Sequence, residues 1–562
     1  MEPIDLLGEY GLNPSTYLAS GGSPIFGAQS PQQIAQLRVN VLHEPRPDGD
    51  KTRFIVKPVP QWALLGAISV SGVQVNGYIR GFIAVDDNRC LAVVGTSLYT
   101  CFGSIASWTL VAGATISGAS GTSYPGNLVN MVSNGVQVLI VGNGVQGSVY
   151  TLQTGSYQQA ALNTAGSWGL ITDANFTGLG ATSADWGIGY LSGRATVNTG
   201  SSSGGNQTLT SGSFDFTAWG ANSAISPLII NTPSDRPGAL VRVYSYHDVL
   251  VFFGDKYIEF WQNVGGYPDP YARIPGTTQD FGLVSFWSVA TVKNTLYFLA
   301  RDPNGTIFVA RLNGYTVERV STPDIDNMFN NNQQNVTFEF QDMVAVPYVS
   351  DGHHVYRLSG QGSFGTVDTF TVAYDVLSGL WHFEASDDYN VTTNTRDLGQ
   401  IPFQWRGQSC ATINSNTQAT FYTASQPGKP GSTFWGSYFN TAYRVLTTRH
   451  IHNWGDDVQI ERIEVDMAVG PSNGINVDIT LEVSRDGGVT FETARSGSAS
   501  YSTANLTNST RQVVQWRRIG QAKQFVFRFK VTQPISPQST GYFLINYARA
   551  YAPPAPYAML TR

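Results

Sequence analysis

The chain repeats one pattern of apolar and polar positions: an apolar run, a turn of Gly, Asn or Asp, and a second apolar run that often carries Tyr or Phe. This order is typical of a β-hairpin. Clear copies occupy residues 87–103, 134–152, 247–262 and 293–314, and weaker copies occupy residues 353–375 and 407–424. Most copies begin about 46 to 60 residues apart, which is close to the repeat of a propeller blade. The pattern therefore predicts a β-propeller of six or seven blades over residues 78–430.

One gap between copies is wider, about 113 residues, and it holds a degenerate copy at residues 185–219. The hairpin turn of this copy has grown into a run of glycine and serine, so we predict an insertion at about residues 185–232. Small polar residues cannot bury enough apolar surface to fold inward, and the loop should project from its blade. Its central residues form a candidate tip loop: Gly200, Ser201, Ser202, Ser203, Gly204 and Gly205.

The last part of the chain changes to strict alternation. Apolar side chains occupy every second position of residues 475–484, namely Ile475, Val477, Ile479, Leu481 and Val483. Residues 463–469 and 525–531 alternate in the same way. Period-two alternation gives a strand one buried and one solvated face, which predicts an antiparallel β-sandwich or platform over residues 440–552.

The two ends of the chain lack both patterns. Residues 37–60 are predicted as a hairpin interrupted by prolines, and residues 1–36 show no clear period, so residues 1–77 are an N-terminal arm and hairpin. Residues 553–562 are a C-terminal tail. The predicted fold class is all-β, a propeller followed by an antiparallel sandwich.

The amino-acid composition supports the all-β class and limits the kinds of partner that the protein is expected to bind. Charged residues make up 13% of the chain, about half of the usual share. A polar surface with few charges suits subunit interfaces, because buried charges are costly. The net charge of −6 argues against general binding to nucleic acid or to anionic membranes. The sequence contains neither a run of about 18 apolar residues nor the apolar segment of a signal peptide, so no membrane insertion is expected.

The three cysteines, Cys90, Cys101 and Cys410, provide neither a disulfide framework nor the spacing of a metal site. Cys90 and Cys101 fall on strands predicted to be neighbours, and both a disulfide and two free buried thiols remain open. We expect no metal and no cofactor.

Residues 484–491, SRDGGVTF, match the spacing of the Asp-box of sialidase propellers through Ser484, Asp486, Gly488, Thr490 and Phe491. The chemistry of this motif is that of a tight turn, in which short polar side chains bond to the backbone. A sialidase would also need several such boxes and a cluster of arginines for the substrate carboxylate. Five arginines of the propeller are available, with nothing that ties them together: Arg80, Arg273, Arg301, Arg311 and Arg319.

The Asp-box occurs once and outside the predicted propeller, so we expect a structural turn, no catalytic residue and no enzymatic activity. A sialidase-like glycoside hydrolase and a carbohydrate-binding tail or receptor-binding protein remain the alternative functions.

Residues 511–530 carry six basic residues and no acid, interleaved with aromatics. This composition fits a nucleic-acid surface. It also fits cross-strand charge pairing, because Arg528 and Lys530 lie on the solvated face of their predicted strand. The solvated faces of other predicted strands carry four acids: Glu464, Asp466, Asp478 and Glu482. We favour pairing.

Several stretches in order resemble a known family. They are NGYIRG at 76–81, the hairpin at 134–152, and the segments 234–266, 286–326 and 373–383, followed by the Asp-box hairpin and residues 512–531. Over about residues 76–550 this set resembles the packaged-DNA stabilisation protein, or tail hub and nozzle, of short-tailed bacteriophages of the podovirus type.

The resemblance implies a structural protein of the virion tail, assembled in the host cytoplasm, with no catalytic residues. Members of that family form a homohexameric ring below the portal and its adaptor and close the DNA exit channel. They carry a tail needle or tip and tailspikes or fibres, and double-stranded DNA passes them without sequence-specific binding.

Overall fold

The computed structural model describes residues 4–7, 38–46, 54–77, 79–103, 105, 107–117, 128–142, 145–152, 166–177, 186–198, 208–219, 238–266, 270–330, 336–338, 343–364, 367–384, 399–405, 408–415, 418–425, 443–448, 451–452, 456–470, 476–500, 511–532 and 542–552. Almost all regular structure in this part of the chain is β-strand, as the repeated hairpins and the alternation predicted. No helix among the described residues has the length and apolar character needed to cross a membrane.

Within the described residues, seven short strands precede the first propeller blade. They are β1 (Ile4–Asp5), β2 (Arg38–Val39), β3 (Val41–Pro45), β4 (Phe54–Pro58), β5 (Gln61–Ala67), β6 (Ser69–Val70) and β7 (Val73–Gln74). Strands β3 and β4 pair antiparallel, which confirms the predicted N-terminal hairpin. Strands β6 and β7 form a small hairpin of their own.

Five blades follow as antiparallel meanders of consecutive strands. Blade 1 contains β8 (Ile79–Ala84), β9 (Arg89–Val94), β10 (Ser97–Phe102) and β11 (Trp108–Leu110). Blade 2 contains β12 (Val129–Ser133), β13 (Gln137–Gly142), β14 (Val145–Thr151) and β15 (Ser167–Leu170). Blade 3 contains β16 (Ile188–Leu191), β17 (Arg194–Asn198) and β18 (Thr208–Thr210). Blade 4 contains β19 (Leu240–Tyr246), β20 (Val249–Gly254), β21 (Ile258–Asn263) and β22 (Tyr271–Arg273). Blade 5 contains β23 (Gly282–Leu283), β24 (Ala290–Val292), β25 (Thr295–Arg301), β26 (Ile307–Asn313) and β27 (Thr316–Arg319).

The remaining two blades depend on strands that are distant in sequence. Blade 6 contains β28 (Val336–Phe338), β29 (Val344–Ala345), β30 (Tyr348–Ser350), β31 (His353–Phe364), β32 (Val367–Asp375) and β33 (Leu380–Phe383). Blade 7 contains β34 (Gly399–Trp405), β35 (Gln408–Ser415) and β36 (Gln418–Ser425), and its fourth strand is β5. Helices α1 (Ala174–Thr177) and α2 (Pro323–Asn330) and a 3-10 turn at Phe286–Ser288 lie in connections between blades.

The blades close into a ring of seven, within the predicted six or seven. Strands of neighbouring blades contact one another around the ring, and β34 of blade 7 contacts β8 of blade 1. Strand β5 precedes blade 1 in the sequence and lies outside the span 78–430 that contains the hairpin repeats. Its pairing with β36 ties the start of the propeller to its end.

Side chains that alternate along the strands pack one blade against the next. Leu91 and Val93 of blade 1 share a buried cluster with Val138 and Ile140 of blade 2. The buried guanidinium of Arg80 in blade 1 donates to carbonyl oxygens of the turn between β9 and β10 and of the connection that leads to blade 2. Apolar contacts between neighbours of this kind hold a propeller together, because each blade covers one face of the next.

The second domain is a sandwich of two antiparallel sheets. Its strands are β37 (Tyr443–Thr447), β38 (Ile451–His452), β39 (Val458–Gly470), β40 (Asn476–Ser484), β41 (Arg495–Ser500), β42 (Arg511–Ala522), β43 (Gln524–Thr532) and β44 (Tyr542–Tyr551). One sheet has the order β3-β4-β44-β39-β42 with β1 beside β44, and the other has the order β37-β43-β40-β41 with β38 beside β43. The core contains Val477, Ile479, Leu481 and Val483 from the alternating segment, as predicted.

Strand β2 joins the two domains into one sheet. Val39 pairs with Phe383 of blade 6 in parallel and with Val445 of the sandwich in antiparallel register. A twelve-stranded sheet therefore runs from the propeller into the sandwich. Backbone hydrogen bonds make this joint stiffer than a linker between separately packed domains.

Candidate functional site

The Asp-box residues form one tight turn at the end of β40. The Asp486 carboxylate accepts hydrogen bonds from the hydroxyls of Ser484 at 2.7 Å and Thr490 at 2.5 Å. It also accepts the backbone N–H groups of Val489 at 3.1 Å and Thr490 at 2.9 Å. The Ser484 hydroxyl accepts the N–H of Gly488 at 2.7 Å. Every polar group of the motif is therefore directed at its own loop.

The remaining residues of the turn are also structural. Gly487 and Gly488 have φ angles of 83° and 93°, a region that residues with a Cβ rarely adopt. The ring of Phe491 lies 3.6 Å from the Arg528 guanidinium. Partial burial alone would raise the pKa of the Asp486 carboxyl, but the hydrogen bonds from Thr490, Ser484 and Val489 hold the pKa below its usual value. A carboxylate that stays ionised and is saturated with donors is a poor general acid.

The basic segment divides into paired and unpaired cations. Arg511 pairs with the buried Asp466, and Arg528 and Lys530 pair with Glu482 at 3.4 and 2.6 Å. Cross-strand pairing is confirmed for these three residues. Arg517, Arg518 and Lys523 are exposed and form no ion pair with the part of the chain that the structure describes.

Four of the five arginines considered for a hydrolase bind separate partners. Arg80 donates to the carbonyl oxygens of Gly95, Ile116 and Ser117 at 2.8, 3.3 and 3.2 Å. Three of the arginines form ion pairs with carboxylates: Arg273 with Glu259 at 3.4 Å, Arg311 with Glu318 at 2.9 Å and Arg319 with Asp326 at 3.5 Å. Arg301 lies exposed at the end of β25. Because these partners are separate, nothing in the described residues ties the arginines into one binding site for a substrate carboxylate.

A buried polar cluster lies where blade 6 meets the N-terminal hairpin, and we call it the junction cluster. Its members are His43, Tyr348, His353, Arg357, Asp375, His382 and Glu384. Glu384 accepts the Tyr348 hydroxyl at 2.7 Å and Arg357 at 2.7 Å, and its Oε1 lies 3.3 Å from the His382 imidazole. The His353 imidazole lies 2.9 Å from the Asp375 carboxylate.

The junction cluster contains a tyrosine beside a glutamate, the pair that a sialidase uses as its nucleophile and base. Here Tyr348 is 1% exposed, and burial together with the Glu384 charge raises the pKa of its hydroxyl well above the usual value. Burial would also raise the pKa of Glu384, but His382, Arg357 and Tyr348 outweigh it and hold that pKa at about 2. A protonated tyrosine without solvent access cannot attack a substrate, so the cluster is suited to holding blade 6 against the hairpin.

Sequence reasoning missed this cluster. A signal was present, because the segments HHVYRL and LWHFE place polar residues inside apolar strands. The two adjacent histidines of β31 point to opposite faces of the strand, since His353 is fully buried and His354 is not. The meeting of the polar side chains in the junction cluster depends on His43 of β3, a strand that is distant in sequence from blade 6.

The three cysteines are buried, and none of them is in a disulfide. Cys90 lies directly opposite Cys101 on the neighbouring strand, and burial raises the pKa of the Cys90 thiol. Among the described residues, no group of three His, Cys, Asp or Glu side chains could hold a metal ion. The candidate tip loop, Gly200 to Gly205, lies outside the described residues, between the paired strands β17 and β18.

Two family models match the chain in the order of its two domains. A model described as bacteriophage P22 Gp10, beta-propeller, matches residues 29–356. A model described as bacteriophage P22 Gp10, beta-sandwich, matches residues 443–540. No protein with a curated description matches the chain.

Solved propellers are also similar to the chain, at low identity. The WD40 beta propeller domain of Doa1 is 11% identical with a TM-score of 0.35, and the match covers 67% of this chain and 100% of that one. The Trypanosoma rangeli sialidase in complex with sialic acid is 8% identical with a TM-score of 0.26, and the match covers 92% of this chain and 95% of that one.

Proposed function

Because this chain belongs to the bacteriophage P22 Gp10 family, whose propeller and sandwich models match its two domains in order, we propose that it is the hub or nozzle of a short phage tail. In this proposal six copies form a ring below the portal and its adaptor. The ring closes the DNA exit channel, retains the packaged genome, and carries the tail needle or tip and the tailspikes or fibres. The ordered match to both models is the observation that carries the proposal, and it makes the chain a structural protein of the virion tail.

The shape of the subunit supports such a role. Strand β2 fuses blade 6 and the sandwich into a continuous sheet, and the junction cluster packs the N-terminal hairpin against the same blade. Propeller and sandwich should therefore move as one body. A rigid subunit can transmit a shift at one contact to the rest of a ring.

The charge distribution supports a conduit that releases DNA. Double-stranded DNA is densely negative, so a channel lined by many free cations would hold it. Three of the basic residues in segment 511–530 are neutralised by carboxylates, and the chain has a net charge of −6. We expect the side chains that face the channel to be neutral or acidic, and we expect closure to come from loops, side chains or a bound needle.

We further infer that the chain has no glycosidase activity. The inference rests on the separate partners of the propeller arginines and on the protonated, buried state of Tyr348. Incubation with a fluorogenic sialoside should give no turnover. Turnover that disappears in a Tyr348→Phe variant would contradict the inference.

The ring is tested by mass measurement under native conditions. The purified chain, alone or with the other tail proteins present, should yield a species of six copies. A chain that stays monomeric at micromolar concentration in both settings would exclude the hub role. Turnover in the sialoside assay would exclude a purely structural role, and the two results are independent.

A further inference from the structure

The first strand of the chain completes the core of the sandwich, far along the sequence from the rest of that domain. Strand β1 pairs with β44 in antiparallel register, with Ile4 opposite Ala550. The backbone N–H of Leu6 continues the pairing and donates to the Ala548 carbonyl oxygen at 2.9 Å. Leu6 and Leu7 are each 1% exposed and belong to the sandwich core. Two leucines are therefore buried by a segment that has very little backbone pairing of its own.

Strand β44 is shaped to receive this segment, residues 4–7, which we call the β1 segment. The residues of β44 opposite Leu6 and Ile4 are Ala548 and Ala550, and both alanines are 1% exposed. Residues that are paired across antiparallel strands project from the same face. An alanine projects only a methyl group, so the two alanines leave space that the larger side chains occupy. We call this edge of β44 the β44 groove.

A single connection, residues 8–37, joins the β1 segment to β2. β1 and β4 lie along the same edge of β44, where Val56 is opposite Ile545, and Val41 is opposite Pro58 on the next strand. Successive residues of a strand are about 3.3 Å apart, so these registers place the β1 segment within about 25 Å of β2. About eight extended residues would span that distance.

The connection is long enough to reach a neighbouring copy. Its thirty residues can span about 100 Å when extended. A compact chain of 562 residues has a radius of gyration of about 24 Å, so equivalent points on two touching copies are about 60 Å apart. The contacts at the β44 groove are the same whichever copy supplies the segment. The length beyond what its own copy requires therefore favours exchange between copies.

We propose that the β1 segment of each copy fills the β44 groove of the next copy. Exchange of an identical element is a low-cost route to assembly, because the contacts already exist within one chain. Exchange in one direction is a head-to-tail contact, and a closed ring of such contacts leaves every groove filled. This inference rests on the proposed ring and identifies the segment that links its copies.

A disulfide between the two paired strands tests the exchange. Asp5 is opposite Arg549, in the non-hydrogen-bonded pair next to the bond between Leu6 and Ala548. The Cα atoms of such a pair are about 4.5 Å apart, within the reach of a disulfide. Both side chains are partly exposed, whereas the native cysteines are buried. Mild oxidation should therefore join cysteines introduced at these two positions.

The decisive sample contains full-length Asp5→Cys and full-length Arg549→Cys chains that are co-expressed, assembled and oxidised. If the copies mix randomly in a head-to-tail ring, about half of the chains should migrate as covalent dimers without reductant. Each variant alone should stay monomeric in the same gel. A chain that carries both cysteines should give a ladder of up to six copies, which a reductant collapses to the monomer.

A matched pair of variants controls for chance collisions. Asp5→Cys co-expressed with Arg517→Cys places the second cysteine on the exposed face of β42, in the same sheet. That position is three strand spacings from β1, about 14 Å, which is too far for a disulfide. This pair should give no dimers.

The buried leucines provide a second measurement. Leu6→Ser/Leu7→Ser should raise the concentration needed for half-assembly at least about a hundredfold, because two buried leucine side chains lose their apolar contacts. Leu110→Ser/Leu170→Ser, at exposed leucines on the outer strands of blades 1 and 2, should assemble as the wild-type chain does. Sedimentation equilibrium gives the assembly state, and circular dichroism checks that each variant is folded.

Two results would overturn the exchange while leaving the ring intact. One is a six-copy species in native mass measurement whose co-expressed Asp5→Cys and Arg549→Cys chains stay monomeric after oxidation, while the double variant forms its disulfide within one chain. The other is normal assembly of folded Leu6→Ser/Leu7→Ser. A wild-type chain that never forms a six-copy species, alone or with the other tail proteins, would refute the ring itself and the exchange with it.

Discussion

Replacing Arg444 with methionine is expected to stabilise the subunit, because this arginine is a buried charge without a hydrogen-bond acceptor. Arg444 lies on β37, is 1% exposed, and none of its three guanidinium nitrogens has a hydrogen-bond partner among the described residues. The guanidinium makes a cation–π contact with the ring of Phe543, whose centroid lies 5.1 Å from the guanidinium carbon.

The expected change in the free energy of unfolding follows from two opposing contributions. Burial lowers the pKa of Arg444 from its ordinary value to about 10, which corresponds to a desolvation cost of about 3 kcal/mol at neutral pH. The interaction with Phe543 returns about 1 to 2 kcal/mol. Methionine fills much of the same volume without a charge, so the Arg444→Met variant should gain about 1 to 2 kcal/mol, within the range seen when buried ionic groups are replaced by apolar ones.

Arg80 provides a control in which the same substitution should have the opposite sign. Arg80 is 5% exposed, but it donates to three carbonyl oxygens. Its replacement by methionine leaves those oxygens unsatisfied and should cost about 3 to 5 kcal/mol. Urea denaturation followed by far-UV circular dichroism should shift to a higher midpoint for Arg444→Met and a lower one for Arg80→Met, with unchanged slopes. A comparable loss in both variants would refute the reasoning and would mean that Arg444 has an anionic partner.

Three further outcomes are expected. Burial, followed by the nearby charges of Arg38 and of other histidines, lowers the pKa of His43 well below 6.5, so the folded state favours neutral His43. The free energy of unfolding should therefore be highest above pH 6.5. Below pH 6.5 it should fall by up to about 1.4 kcal/mol per pH unit. A His43→Gln variant should flatten this slope in urea midpoints measured from pH 7 to 5, whereas His354→Gln should not. Asp486→Ala should cost about 1 to 2 kcal/mol by the same measurement, because the turn loses its shared acceptor; an unchanged midpoint would show that the turn does not need it. Replacing residues 201–206 with a two-residue turn should leave thermal unfolding unchanged and impair tip attachment in virions, and a chain that no longer folds would show that the loop is structural.

The parts of the fold that the sequence predicted depend on local patterns. A hairpin is encoded by its own apolar runs and turn, so the blades could be located from single stretches. The sandwich core could be predicted in the same way, since Val477 to Val483 alternate within one strand. The Asp-box turn was accessible for the same reason, because all of its hydrogen bonds lie within a few residues of Asp486.

The parts that could not be predicted depend on partners far along the chain. Nothing near Gln61–Ala67 indicates that it pairs with β36, because ring closure is a property of the whole propeller. Strand β2 has only two residues, too few to show any period. The junction cluster was missed because a polar residue in an apolar strand, such as His353, does not reveal which distant side chains approach it. Charge pairing predicted the partners of Arg528 and Lys530 but failed for Arg517, Arg518 and Lys523, which lie at the exposed end of the sandwich.

The DNA content of particles assembled without this chain tests the proposed hub role most directly. Phage lacking the gene should fill their heads with DNA and then lose it, and the purified chain added back should prevent the loss. Particles that keep a full genome in the absence of the chain would contradict the role in retaining packaged DNA.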